Sequence, residues 1–107
     1  LPHRTRRELS LAGTLQYAAP EQLGQLPGVP VGRYTDVYGF GRTCLEAVFA
    51  TTDPKRRDWQ AVPEGVRDAL QDVLERCTDR DPAHRYPDFG AVVTALGTVG
   101  RKRKKTQ

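Results

Sequence analysis

Apolar residues recur at helical spacing in three stretches of the chain, and this spacing predicts three amphipathic helices. The first helix is expected to run from Asp36 to Thr51, the second to begin at Pro63 and end at Cys77, and the third to follow Asp88 as its N-cap. Gly97 and Gly100 are expected to stop the third helix. The predicted buried faces consist of Val37, Phe40, Cys44, Leu45, Val48 and Phe49 in the first helix, Val66, Leu70, Val73, Leu74 and Cys77 in the second, and Phe89, Val92, Val93 and Leu96 in the third.

The segments between these helices are polar or rich in Gly and Pro, so they are expected to be connectors. Residues 1–13 are interpreted as a loop, residues 51–62 as a polar connector carrying the only Trp, and Ala19-Pro20-Glu21 as the start of a short helix that Gly24 ends. No strand longer than a few residues is expected, and the predicted fold class is mainly α. The first helix also carries Tyr38 and Gly41 beside its apolar stripe, which is typical of a helix surrounded by other elements.

The positive charge of the chain is concentrated at its C-terminal end. The net charge is +4, but residues 101–105 (RKRKK) supply five of the 17 basic residues, and without them 12 basic residues face 13 acidic ones. Proteins that bind nucleic acid usually carry basic residues on the folded body, so no nucleic-acid partner is expected. We therefore divide the chain into a body, residues 1–97, and a basic tail, residues 98–107, that is expected to be solvated. Contact of the basic run with anionic lipid or nucleic acid is the alternative for the tail.

Cysteine and histidine placement argues against a disulfide or a metal site. Cys44 and Cys77 form no CxxC pair and fall on predicted apolar stripes, where a free thiol behaves as a small hydrophobe. Reduced thiols favour a cytoplasmic location. His3 and His84 have no ligand partners at suitable spacing, so no metal is expected, and no apolar run approaches the ~20 residues of a membrane span.

Three motifs in a fixed order resemble the C-terminal part of the eukaryotic-like Ser/Thr protein kinase domain. Residues 13–21 (GTLQYAAPE) are similar to the end of the activation segment, and residues 36–41 (DVYGFG) resemble the opening of the central buried helix. Residues 77–85 (CTDRDPAHR) are similar to the late Asp-Pro-x-x-Arg segment. The resemblance implies the C-terminal portion of the large helical lobe of a two-lobed α+β fold. Most members of the family have an additional helix where this chain has the short connector at residues 51–62. The apparent loss of that helix is typical of bacterial branches of the family.

The resemblance implies a structural role for Glu21, Arg85 and Asp36. Glu21 and Arg85 match a buried ion pair that anchors the activation segment to the helical lobe, and the planar guanidinium suits two parallel hydrogen bonds to a carboxylate. Ordinary surface charges are the alternative for both residues. Asp36 matches an aspartate that supports the backbone of the catalytic loop, while an acidic residue in the first turn of a helix is also favoured by the helix dipole.

The resemblance also points to three hydroxyl residues near the N-terminal end of the chain. Thr14 matches a residue of the substrate pocket, and the Gly13-Thr14 sequence favours Ser/Thr over tyrosine specificity. Thr5 and Ser10 are candidate phosphorylation sites, with Arg4, Arg6 and Arg7 nearby to pair with a phosphate. A solvated basic loop is the alternative interpretation of that segment.

None of the kinase motifs for ATP or magnesium binding occurs in the 107 residues, and no catalytic or cofactor-binding residue is assigned. The sequence is therefore interpreted as a C-terminal fragment of a kinase domain, inactive on its own, that requires the remainder of the domain as partner. ATP, Mg²⁺ and a protein substrate are expected only for the intact domain. A non-catalytic interaction module built from a kinase lobe is the alternative.

Overall fold

The structure, a computed structural model, describes residues 15–105, and for residues 100–105 it describes the backbone alone. The α-helices that lie wholly within this range are, in chain order, α1, Arg33–Phe49; α2, Arg56–Gln60; α3, Glu64–Cys77; and α4, Phe89–Lys105. A short 3₁₀ helix, Pro82–His84, lies between α3 and α4. No strand occurs in residues 15–105, which confirms the predicted mainly α class.

The core forms two adjoining clusters on either side of α3, which packs against both α1 and α4. One cluster joins Val37, Val73, Cys77 and Val92, and the other joins Leu45, Trp59 and Leu74. Each fully buried aliphatic side chain contributes about 1.5–3 kcal/mol, so these few residues supply much of the folding free energy. Val48, Phe89 and Val93 were expected on buried faces, and this expectation is wrong, because all three side chains are exposed in the described chain.

The helix boundaries differ from the sequence prediction at both ends of the body. Helix α1 begins at Arg33, three residues before Asp36, and ends where Ala50 adopts a left-handed conformation with φ 59°. Asp88 does cap α4 as predicted, because its Oδ1 accepts a hydrogen bond from the Ala91 amide at 3.0 Å.

The expectation that Gly97 and Gly100 stop this last helix is wrong, since α4 continues to Lys105. Leu96 and Val99 pack against the core, and this packing outweighs the cost of about 1 kcal/mol for each helical glycine. The backbone of residues 98–105 therefore belongs to α4.

Two further segments depart from the prediction. The stretch 51–62, expected to be a connector throughout, contains α2, whose buried Trp59 meets the Phe49 ring edge-on at 4.7 Å between ring centroids. Residues 20–24 form hydrogen-bonded turns where a short helix was expected. Gly24, with φ 72°, ends these turns in a conformation that favours glycine.

Gly41 permits a close approach of α1 to the end of α3. A Cβ atom at this position would lie 2.7 Å from Thr78 Cγ2 and 2.8 Å from Cys77 Cβ, both shorter than van der Waals contact. The absence of a Cβ atom at Gly41 therefore lets the two helices pack closely. A Cβ atom at Gly39 would meet only the Tyr17 carbonyl, at 3.7 Å, an ordinary contact.

We expect Gly41→Ala to lower the free energy of unfolding by about 1–3 kcal/mol, because the added methyl group forces the two helices apart. Gly39→Ala is the matched control. It should raise the free energy of unfolding by up to about 1 kcal/mol, because alanine has a higher helix propensity than glycine. Chemical denaturation of both variants checks the pair. Equal effects of the two substitutions would show that α1 and α3 do not meet at Gly41.

Candidate functional site

The structure brings Glu21 and Arg85 together, although 64 residues separate them in sequence. Arg85 Nη1 donates to Glu21 Oε2 at 2.7 Å, and Arg85 Nη2 donates to Glu21 Oε1 at 2.9 Å. The side chains of both residues are fully buried. This is the two-pronged geometry in which guanidinium and carboxylate groups match best.

All five N–H groups of the Arg85 guanidinium have an acceptor. Nε donates to the Asp79 carbonyl at 2.7 Å, Nη1 also donates to the Tyr34 carbonyl at 3.2 Å, and Nη2 also donates to the Arg80 carbonyl at 3.3 Å. Five donors is the full capacity of arginine. The buried cation is therefore completely satisfied by its protein partners.

Side-chain hydrogen bonds within residues 79–83 orient the carbonyls of this loop toward Arg85. The Asp79 Oδ1 atom accepts from the Asp81 amide at 2.8 Å, and the Asp81 Oδ1 atom accepts from the Ala83 amide at 2.9 Å. These two side-chain turns, followed by the 3₁₀ helix, fold the segment tightly around the guanidinium. His84 lies outside this ring, with its imidazole nitrogens 3.7 and 3.6 Å from the carboxylates of Asp79 and Asp81.

On the other side of the pair, the turns at residues 19–25 hold Glu21 in place. The Ala19 amide donates to the Gln22 side-chain oxygen at 2.9 Å, and the Gln25 amide donates to the Pro20 carbonyl at 3.0 Å. Burial by itself would raise the pKa of Glu21, but hydrogen bonds from Arg85, from its own backbone and from Thr35, together with the Arg85 charge, hold that pKa below the ordinary glutamate value. The pair is therefore ionised at neutral pH.

Tyr38 closes the ion pair from the side of α1. Arg85 Cζ lies 4.8 Å from the centre of the Tyr38 ring, within the range of a cation–π contact. The Tyr38 hydroxyl accepts from Arg42 Nε at 3.1 Å and from Arg42 Nη2 at 2.8 Å. Arg42 also donates to the Thr52 carbonyl, which ties the segment after α1 to the same aromatic ring.

The other predicted site residues do not join the ion pair. Asp36 lies in the first turn of α1 with an exposed side chain, at the edge of a 210 Å³ cavity that Tyr17, Ala18 and Gln22 also line. Thr14, Thr5 and Ser10 lie outside the described residues, so their predicted roles stay predictions.

Sequence reasoning missed the contributions of Thr35, Tyr34 and Tyr38. A threonine before Asp36 suggests a role at the start of a helix, but nothing in the sequence links its hydroxyl to a glutamate 14 residues away. Every residue has a backbone carbonyl, so no sequence pattern identifies an acceptor such as the Tyr34 carbonyl.

Cys77 lies in the core and Cys44 packs against it partly buried, which agrees with their predicted places on apolar faces, and both thiols are free. Burial, with a smaller contribution from Cys44, raises the pKa of Cys77 to about 11, and burial also raises the pKa of Cys44. Both thiols are therefore protonated at neutral pH and are poor nucleophiles. Among the described residues, no three His, Cys, Asp or Glu side chains form a group that could hold a metal ion. No described helix has both the length and the apolar character needed to cross a lipid bilayer.

We expect Arg85→Ala to lower the free energy of unfolding by about 3–5 kcal/mol, because the substitution leaves the buried Glu21 carboxylate without its counter-charge. Arg80→Ala is the matched control. The Arg80 side chain is exposed and donates only to Gln25 at 3.1 Å, so its removal should change stability by no more than about 0.5 kcal/mol. Urea titration measures both, and similar losses would show that the ion pair is not buried.

The lowered pKa of Glu21 predicts the pH dependence of stability. Its contribution is fully present above the ordinary glutamate value of 4.5 and is lost as the pH falls through the lower value of the folded state. Glu21→Gln removes this titrating group, so the stability of the variant should fall less steeply below pH 4.5. Unfolding curves across the acid range test the difference. Parallel profiles for the two proteins would contradict it.

Comparison with known proteins finds similarity to two kinases of Dictyostelium discoideum. The chain is 26% identical over 103 residues to dual specificity protein kinase zakA, a match that covers 82% of this chain and 13% of that protein. It is 24% identical over 104 residues to dual specificity protein kinase zak2, covering 83% of this chain and 16% of that protein. No protein-family model and no solved structure matches the sequence. The two similarities support a kinase-related chain, and they extend over most of its length.

Proposed function

We propose that this chain forms the C-terminal part of a Ser/Thr protein kinase domain, and that the intact domain transfers phosphate from ATP to protein hydroxyl groups. The buried pair of Glu21 and Arg85 carries the proposal, because it joins two of the three kinase-like motifs in one contact. The similarity to two named kinases supports the same assignment.

In this proposal the ion pair holds the loop that bears the substrate pocket. Thr14 directly precedes the first described residue and lies seven positions before Glu21. The turns at residues 19–25 and the guanidinium of Arg85 fasten the C-terminal end of that loop to the helices. Phosphate transfer depends on accurate positioning of substrate, so a rigid attachment at this point favours turnover.

In this proposal Asp36 supports the backbone of the catalytic loop. Its exposed carboxylate lies at the edge of the cavity beside the loop, where backbone amides of a neighbouring segment have room to approach. ATP and Mg²⁺ belong to the intact domain, because the sequence motifs that bind them do not occur among the 107 residues. In this proposal Thr14 positions the substrate, and the helices and turns around the ion pair support it.

The acceptor specificity is a separate part of the proposal. Gly13-Thr14 favours Ser and Thr as acceptors, whereas the two relatives are named dual specificity kinases. Phosphate transfer by the full-length protein to matched peptides with Ser, Thr or Tyr as the only acceptor distinguishes these cases. Transfer to all three peptides would assign dual specificity instead.

We expect Thr14→Ala to reduce turnover by the full-length protein roughly 10- to 100-fold, because the substitution removes the group proposed to position the substrate. The proposed role of Thr14 is in substrate binding and not in folding, so the melting temperature should stay unchanged. Thr94→Ala is the matched control, since the Thr94 hydroxyl is exposed on α4 and donates only to the Gly90 carbonyl. Radiolabel transfer and thermal melting measure both variants.

Equal turnover of wild type and Thr14→Ala would show that Thr14 does not belong to the substrate pocket. If the full-length protein transfers no phosphate to any acceptor but binds another kinase through this chain, the non-catalytic interaction module is the correct interpretation.

A further inference from the structure

Thr35 uses both hydrogen-bonding capacities of its hydroxyl at a buried position. The hydroxyl donates to Glu21 Oε2 at 2.8 Å and accepts from the Gly32 amide at 3.0 Å. Gly32 is the residue directly before α1, and its amide is one of the N–H groups that a helix leaves without an internal partner. One side chain thus contacts both the ion pair and the N-terminus of α1.

Arg85, the other member of the ion pair, contacts the same turn of α1. Its Nη1 atom donates to the carbonyl of Tyr34, the residue directly before Thr35. Arg85 therefore binds Tyr34 and Glu21 binds Thr35, two consecutive residues that directly precede Asp36. These contacts restrain the first turn of α1 from two directions.

We propose that Thr35 is a positioning residue, whose hydroxyl links the Glu21–Arg85 ion pair to the first turn of α1 and so sets the orientation of Asp36. The importance of Asp36 for phosphate transfer rests on the function proposed above. The link between Glu21 and Gly32 through Thr35 stands on the geometry of this chain alone.

The chemistry of the position separates this role from ordinary helix capping. A glutamate in the third position of a helix commonly accepts the hydrogen bond from the N-cap amide that the Thr35 hydroxyl accepts here. A carboxylate could not also donate to Glu21, and it would place a second negative charge against the first. A hydroxyl is a donor and an acceptor at once, so Thr or Ser satisfies both contacts.

Carbon-13 titration of the Glu21 carboxyl in the full chain tests the link. Thr35→Val keeps the side-chain shape but removes the donor, so the titration midpoint of Glu21 should shift upward. Thr35→Ser should restore the wild-type midpoint. Thr43→Val is the matched control, because the Thr43 hydroxyl lies on the same helix, is exposed and donates only to the Gly39 carbonyl. An unchanged midpoint in a folded Thr35→Val chain would overturn the proposal.

A second measurement needs no substitution and decides the case even if Thr35→Val does not fold. In the wild-type chain, the Gly32 amide resonance should follow the protonation of Glu21, with superimposable titration curves over the pH range in which the chain stays folded. Independent curves would overturn the link. Absence of phosphate transfer by the full-length protein would instead refute the proposed function and leave the link intact.

Discussion

The fully buried ion pair between Glu21 and Arg85 is the contact on which the arrangement of the loops depends. Removing two charges from water costs several kcal/mol for each ion, and the attraction between them repays this cost only with good geometry and complete hydrogen bonding. Both conditions hold here, since the carboxylate receives two parallel hydrogen bonds and every guanidinium N–H has an acceptor. No described buried side-chain nitrogen or oxygen lacks a partner.

Such a pair contributes specificity more readily than net stability. A well-packed apolar pair of similar volume can stabilise a core equally well, but it does not select one loop arrangement over another. The guanidinium of Arg85 donates to the carbonyls of Asp79, Arg80 and Tyr34, so an arrangement of the segments without these acceptors leaves buried N–H groups without partners. The polar centre therefore determines how the turns at residues 19–25 and the loop before α4 sit on α1.

The apolar core and this polar centre share α1. Val37 and Leu45 face the two hydrophobic clusters, whereas Tyr38 covers the ion pair and Gly41 lets α3 approach. A single helix thus carries contacts with almost every other described element. This explains why its sequence is apolar on more than one side, even though Val48 remains exposed.

The sequence by itself determined the mainly helical class, the cores of the three long helices and the Asp88 cap, because each follows from local periodicity or residue type. The resemblance to a kinase domain also implied that Glu21 and Arg85 meet. Tertiary structure decided the rest. Leu96 and Val99 pack against the core, and this packing stabilises α4 beyond its two glycines. Trp59 packs against Leu74, and this contact stabilises α2. The partners of Arg85 and the hydroxyl link of Thr35 involve backbone groups and residues far apart in sequence. Such contacts exist only once the chain is folded, because hydrogen-bond geometry depends on distances that no local pattern encodes.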